Sequence, residues 1–120
     1  MADGARNGEL PEGIVDAGLL ELEIHRVDET KIVTFRGELD LSNADTARST
    51  LEALEREDGA DLLLDLGELE FCDSTGLALI VSAASRCRDN GHGLKLLKAG
   101  PSVQRVFKLT GLEDQLPFVD

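Results

Sequence analysis

From Leu19 onward the chain alternates apolar and polar positions with a period of two: Leu20, Leu22 and Ile24 are separated by Glu21, Glu23 and His25. That alternation predicts a strand with one buried face. Asp28-Glu29 makes a turn, and Lys31 to Gly37 (KIVTFRG), rich in β-branched residues and Phe, makes a second strand. The short link joins the two as an antiparallel hairpin. The period then lengthens. Ala44, Ala47, Leu51 and Leu54 form one helical stripe. Ser42 and Asp45 read as a capping box at its start, and Asp58-Gly59 as its stop. Asp61 to Leu66 (DLLLDL) is nearly all apolar, as expected of a central strand covered on both faces. Glu68 to Cys72 leads back toward the sheet.

A second helix begins near Ser74, with Leu77, Ile80, Val81, Ala84 and Arg88 on its inner face, and Asn90-Gly91 ends it. Gly93 to Lys98 (GLKLLK) is a further strand, with Lys95 and Lys98 on a solvated face and end. Pro101 opens a third helix whose Val103, Val106, Phe107 and Thr110 point inward, and Gly111 closes it. Leu116 to Val119 makes a last short extended piece. The order is β-β-α-β-α-β-α. It predicts an α/β fold with a mixed, mostly parallel sheet of four to five strands packed with helices. Residues 1–18 hold four Gly, one Pro and scattered charges with no apolar period, so they read as a disordered tail before a single domain over 19–120. No pattern supports a short helix at Gly13 to Leu20.

Charge narrows the range of functions. Twelve basic against 24 acidic residues leave a net charge of −12, which argues against gripping nucleic-acid phosphates or an anionic membrane. No run of apolar residues is long enough to span a bilayer, and no secretory leader is visible. Cys72 and Cys87 form neither a CxxC pair nor a disulfide framework, and read as reduced thiols of a cytoplasmic protein. His25 and His92 are too isolated for a metal site, and Asp40, Asp45 and Asp73 lack the clustering of a cation loop, so neither metal nor cofactor is expected.

The segment that carries chemistry is Phe71-Cys72-Asp73-Ser74-Thr75-Gly76-Leu77. It delivers a hydroxyl to the start of an apolar helix, where free amides and the helix dipole tolerate an anion. Ser74 sits at or beside the N-cap, where its oxygen can accept a first-turn N–H. Gly76 removes a side chain, which allows close approach to the backbone. Taken alone, such a tetrapeptide is a plain helix cap. Its companions add to it: Gly37-Glu38-Leu39-Asp40 after the second strand, and Leu109-Thr110-Gly111-Leu112 closing the third helix.

With these three motifs in register, residues 20–120 resemble the STAS domain family, and more narrowly the bacterial anti-sigma factor antagonists. The resemblance implies a non-enzymatic binding module. Its unphosphorylated form binds an anti-sigma factor that is also a serine kinase of the GHKL type, which frees the sigma factor. Phosphorylation on Ser74 then ends binding, and a PP2C-type phosphatase resets the cycle. Asp40, Asp73, Ser74, Thr75 and Gly76 would form the partner-binding surface, with Thr75 ranked below Ser74 as phosphate acceptor. Cys72 stands where the family often has a larger apolar residue, and reads as a small buried hydrophobe. The alternative is a STAS accessory subunit of a transport ATPase, or a scaffold component of a signalling complex. A serine hydrolase is disfavoured, because no Gly-x-Ser-x-Gly elbow exists and neither histidine is placed to meet Ser74.

Overall fold

A computed structural model describes residues 13–57 and 61–119. The strands are β1 (Gly13–Ala17), β2 (Leu20–Val27), β3 (Thr30–Leu39), β4 (Asp61–Cys72), β5 (Leu94–Leu97) and β6 (Phe118–Val119). The helices are α1 (Ala44–Glu55), α2 (Ser74–Asp89), α3 (Pro101–Leu109) and α4 (Leu112–Gln115). The six strands lie side by side in chain order. The pairs β1–β2 and β2–β3 are antiparallel, and those from β3 to β6 are parallel. The expected α/β class and mixed sheet are observed, with six strands rather than four to five.

The extra strand is β1. The expectation of a tail over 13–18 is therefore corrected: Gly13–Ala17 pairs along its whole length with Leu20–Ile24, and Val15 and Ala17 pack against the core. Five residues were too few to show a period, and the hairpin partner stabilises them instead. Residues 1–12 and the Asp58-Gly59 helix stop lie outside the described residues.

The register explains why the sheet has one core. Ile24, Val33, Leu64 and Leu96 line up across β2 to β5 as a buried row, continued by the half-buried Phe118 of β6. The neighbouring row on the opposite face is Ile14, Glu23, Thr34, Asp65, Leu97 and Val119. Only Thr34 of that row is buried. The expectation that Asp61–Leu66 is covered on both faces is thus wrong: Leu62, Leu64 and Leu66 are buried, while Leu63 and Asp65 are half-exposed on the open face. A sheet extended in one direction by right-handed crossovers gathers its helices on one face. The open face is braced by charge. The Arg36 guanidinium bonds Glu23, Glu21 at 3.2 Å and Glu68 at 3.1 Å, which holds the Glu23 carboxyl below its ordinary range.

Two further expectations shift. β4 carries two more residues than its β3 partner between Thr34 and Glu38, so it continues through Gly67 to Cys72 as one bulged strand. On α2 the buried face is Gly76, Leu77, Leu79, Ile80, Ala83 and Cys87. Val81 and Ala84 are only half-buried and Arg88 is exposed. The stripe is rotated because small residues let α2 lie close to its neighbours, and because Arg86 holds Glu55 of α1 through two bonds of 2.8 and 3.0 Å. On α3, Val103 and Phe107 are buried and Val106 half-buried. Thr110 is exposed rather than inward, its hydroxyl donating back to the Val106 carbonyl at 2.8 Å.

One buried side chain has no apolar reason to be there. Lys31 is fully buried, and its ammonium donates to the Leu54 carbonyl at the end of α1 and lies 3.4 Å from Glu57. It adds a charged donor, at the negative end of the helix dipole, to a carbonyl that also accepts the Glu57 N–H at 3.2 Å.

Candidate functional site

Parallel strands β3 and β4 end together, with Leu39 beside Cys72, so their outgoing loops share one edge of the sheet. The β3–α1 loop begins at Asp40 and the β4–α2 loop is Asp73. Gly37 lets β3 pass close to the β1–β2 turn just before that loop. Its φ is +101°, and a Cβ there would lie 2.1 Å from the Leu19 carbonyl oxygen, which instead accepts the Glu38 N–H at 2.9 Å. Only glycine fits.

The Asp40 loop is pinned from within. One Asp40 carboxylate oxygen accepts the Ser42 N–H at 2.9 Å and the Ser42 hydroxyl at 2.6 Å. The expected Ser42–Asp45 capping box does not form, because Asp40 captures the Ser42 hydroxyl and Asp45 pairs with Arg48. Asn43 does what the box would have done for the loop. It is buried, accepts the Asp40 N–H at 3.0 Å and donates to the Glu38 carbonyl at 2.8 Å. The sequence reading missed Asn43. The available signal was an Asn directly before an apolar helical stripe.

Asp73 ties the two loops together. It is the N-cap of α2; one carboxylate oxygen accepts the Gly76 N–H at 2.9 Å and the other the Leu41 N–H at 3.2 Å. The capping role considered for Ser74 thus belongs to Asp73. Ser74 is the first helical residue, exposed, and its hydroxyl makes no hydrogen bond among the described residues. Thr75 is half-buried. Asp40, Asp73, Ser74 and Thr75 therefore share one surface. Gly76 does not reach it. It is buried, and a Cβ on it would meet the Cys72 sulfur at 2.7 Å and Leu39 at 2.8 Å. The close approach Gly76 permits is that of the protein's own core, which corrects its reading as a residue open to a visitor.

Two large apolar side chains stand at this edge that sequence reasoning did not assign to the binding surface: Leu41, 76% exposed, and Phe71, 48% exposed. The Leu41 amide is held by Asp73, so the loop displays its side chain from a fixed backbone. Histidines are elsewhere: His25 contacts Glu23 at 3.0 Å on the open sheet face, and His92 follows α2. Among the described residues no group of three metal-ligating side chains exists, and no helix is long and apolar enough to cross a membrane.

Removing the tie should be measurable. Asp73→Ala is expected to cost about 1–2 kcal/mol of stability through the lost cap, and to broaden the Leu41 and Ser42 amide resonances. An unchanged melting temperature with unchanged Leu41 resonances would refute the tie.

Cys72 is buried and its thiol is pushed up to about 12, by burial first and by the Asp73 charge second. Cys87 is pushed up to about 11, chiefly by burial. Little thiolate exists at neutral pH. Both cysteines should resist a disulfide reagent at pH 8 in the native protein and react on unfolding; rapid native reaction would contradict this. The linkage has a sign. The unfolded chain releases these protons from about pH 9.0, before the folded chain does, so stability falls as pH rises from 9.0 toward about 12.

Residues 21–120 match the STAS domain model. The anti-sigma-B factor antagonist of Listeria monocytogenes is 33% identical over 96 residues, covering 79% of this chain and 84% of that protein. That of Bacillus subtilis is 37% identical over 82 residues, covering 68% and 74%. Among solved structures, an anti-sigma factor antagonist from Mycobacterium paratuberculosis superposes with a TM-score of 0.75 at 24% identity, covering 82% of this chain and 84% of that one. The Bacillus determinant SpoIIAA shares the fold in both its unphosphorylated form (TM-score 0.70, 21% identity, 82% and 88% covered) and its phosphorylated form (0.64, 21%, 82% and 91%). With a family model spanning nearly the whole described chain, and relatives above 30% identity over most of their length, this chain belongs to the STAS domain family.

Proposed function

We propose that the chain is an anti-sigma factor antagonist controlled by phosphorylation of Ser74. The observation that carries the reading is the placement of the Ser74 hydroxyl: exposed and unbonded at the first turn of α2, on a surface tied by Asp73 to the Asp40 loop. In the unphosphorylated state this edge binds an anti-sigma factor serine kinase of the GHKL type and thereby releases its sigma factor. Leu41 and Phe71 supply apolar area to bury, with Asp73 directly before the acceptor and Asp40 on the loop that Asp73 ties to it. A phosphate at Ser74 ends the contact, and a PP2C-type phosphatase removes it. Thr75 is a second acceptor of lower rank because it is half-buried.

The chain acts as a binding module in the cytoplasm, without catalysis of its own. A nucleophilic Ser74 would need a base, and among the described residues none bonds its hydroxyl. The test is incubation with ATP and GHKL-type anti-sigma kinases from the same genome, followed by phosphopeptide mapping. Phosphate is expected on the peptide holding Ser74 and absent from Ser74→Ala. Modification elsewhere with Ser74 untouched, or no transfer from any of these kinases, would refute the reading.

A further inference from the structure

A second concave surface lies away from Ser74, where α2, the start of β5 and the α4–β6 segment meet. It encloses about 500 Å³, within the range of small-ligand sites. It collects features that the Ser74 surface leaves unused. Val81 and Ala84 belong to the α2 stripe expected to face the core, and here they form one wall. Leu112, from the motif after α3, joins Leu94 and Leu116 in the rest of the apolar lining.

The one permanent charge in the lining is positive. Arg88 and His92 border the groove with Ser85 and Gln115, and no carboxylate lines it, in a chain with 24 acidic residues and a net charge of −12. Arg88 is weakly engaged: its guanidinium lies 4.0 Å from Asp89 and 3.3 Å from the Ser85 hydroxyl. Its side chain is 76% exposed, so the guanidinium can turn to a ligand without breaking a buried bond. An apolar trough with a cationic, hydrogen-bonding border, no carboxylate in its lining and only the exposed Asp89 near its guanidinium matches a molecule with a hydrocarbon chain and an anionic head.

We propose that the groove between α2 and the α4–β6 segment binds a medium-chain carboxylate, its chain along Val81, Ala84, Leu94 and Leu116 and its head group at Arg88 and His92. The site is independent of the function assigned to Ser74. It places a ligand on the same helix that carries the acceptor hydroxyl, toward the opposite end.

The test is titration of the full chain with decanoate, decyltrimethylammonium and an acidic leucine-rich helical peptide, followed by amide resonances and calorimetry. Decanoate is expected to saturate one site and to shift the amides of Val81, Ala84, Leu94 and Leu116. The cationic amphiphile should bind about tenfold more weakly or worse, reflecting the loss of one charge-assisted contact. Ala84→Phe, which fills the trough, should abolish binding. Arg88→Glu, a change at an exposed position, should weaken decanoate about tenfold and spare Ser74 phosphorylation. Equal binding of both amphiphiles, shifts confined to the open sheet face, or unchanged affinity in Arg88→Glu would overturn the proposal. So would silence toward decanoate while the peptide moves these same amides.

Discussion

Ser74→Asp is expected to bind the anti-sigma kinase about a hundredfold more weakly than the parent chain, whereas Ser74→Ala binds as the parent does. A unit charge about 6 Å from a nucleotide phosphate across the interface, at an effective dielectric of about 20, is repelled by roughly 3 kcal/mol. That energy is about two decades in affinity. A phosphoserine carries about −1.5 to −2 charges and has the larger effect. Among the described residues nothing in the surface absorbs the new charge: the Asp40 carboxylate is bonded by an amide and a hydroxyl, and Asp73 by two amides, with no described cation on either. The fold itself tolerates an anion at the first helical position, where the dipole favours it. Melting temperature should therefore change little, and amide shifts in the phosphorylated form should cluster around the Asp40 loop and the start of α2. Calorimetric titration of the three forms against the kinase checks the prediction. Equal affinities would sink the switch, and shifts spread across the distant strands would sink its local character.

Lys31→Ala is expected to lower the unfolding free energy by about 3 kcal/mol, the sum of a lost buried stem and a lost charged bond to the Leu54 carbonyl, which keeps only the Glu57 N–H. Lys31→Met keeps most of the volume and should cost about 1–2 kcal/mol, since the bond to the Leu54 carbonyl and the contact with the half-exposed Glu57 are lost. Removing the partner is milder. Glu57 is 43% exposed, so Glu57→Gln should fall within about 1 kcal/mol of the parent. Urea midpoints at constant slope give all three values. A Lys31→Ala protein as stable as the parent would show that the buried ammonium caps nothing.

Much of this was legible beforehand for a local reason. The alternation in β2, the β-branched run in β3 and the Ala44–Leu54 stripe of α1 each bury one face, and burial is what periodicity records. The motif ending at Leu77 placed Ser74 at a helix start because Asp, Ser and Gly there have few other uses. Where the reading failed, a partner that leaves no periodic signal decided. Gly13–Ala17 is a strand because β2 lies beside it. Ser42 does not cap α1 because Asp40 is two residues away and free to take its hydroxyl.

The chain's own order of apolar and polar residues determined the α/β class, the element sequence from β2 to α3 and the helix whose first turn holds Ser74. These follow from short-range periodicity and turn chemistry, which act within a few residues. Tertiary structure alone decided that α2 is rotated to bury Ala83 and Cys87, leaving Val81, Ala84 and Arg88 to line a groove. It also decided that Asp73 reaches Leu41, 32 residues away in the chain, making one surface of two loops. The reason is that a side chain's rotation and a loop's partner are set by what packs against them, and neither neighbour is near in sequence.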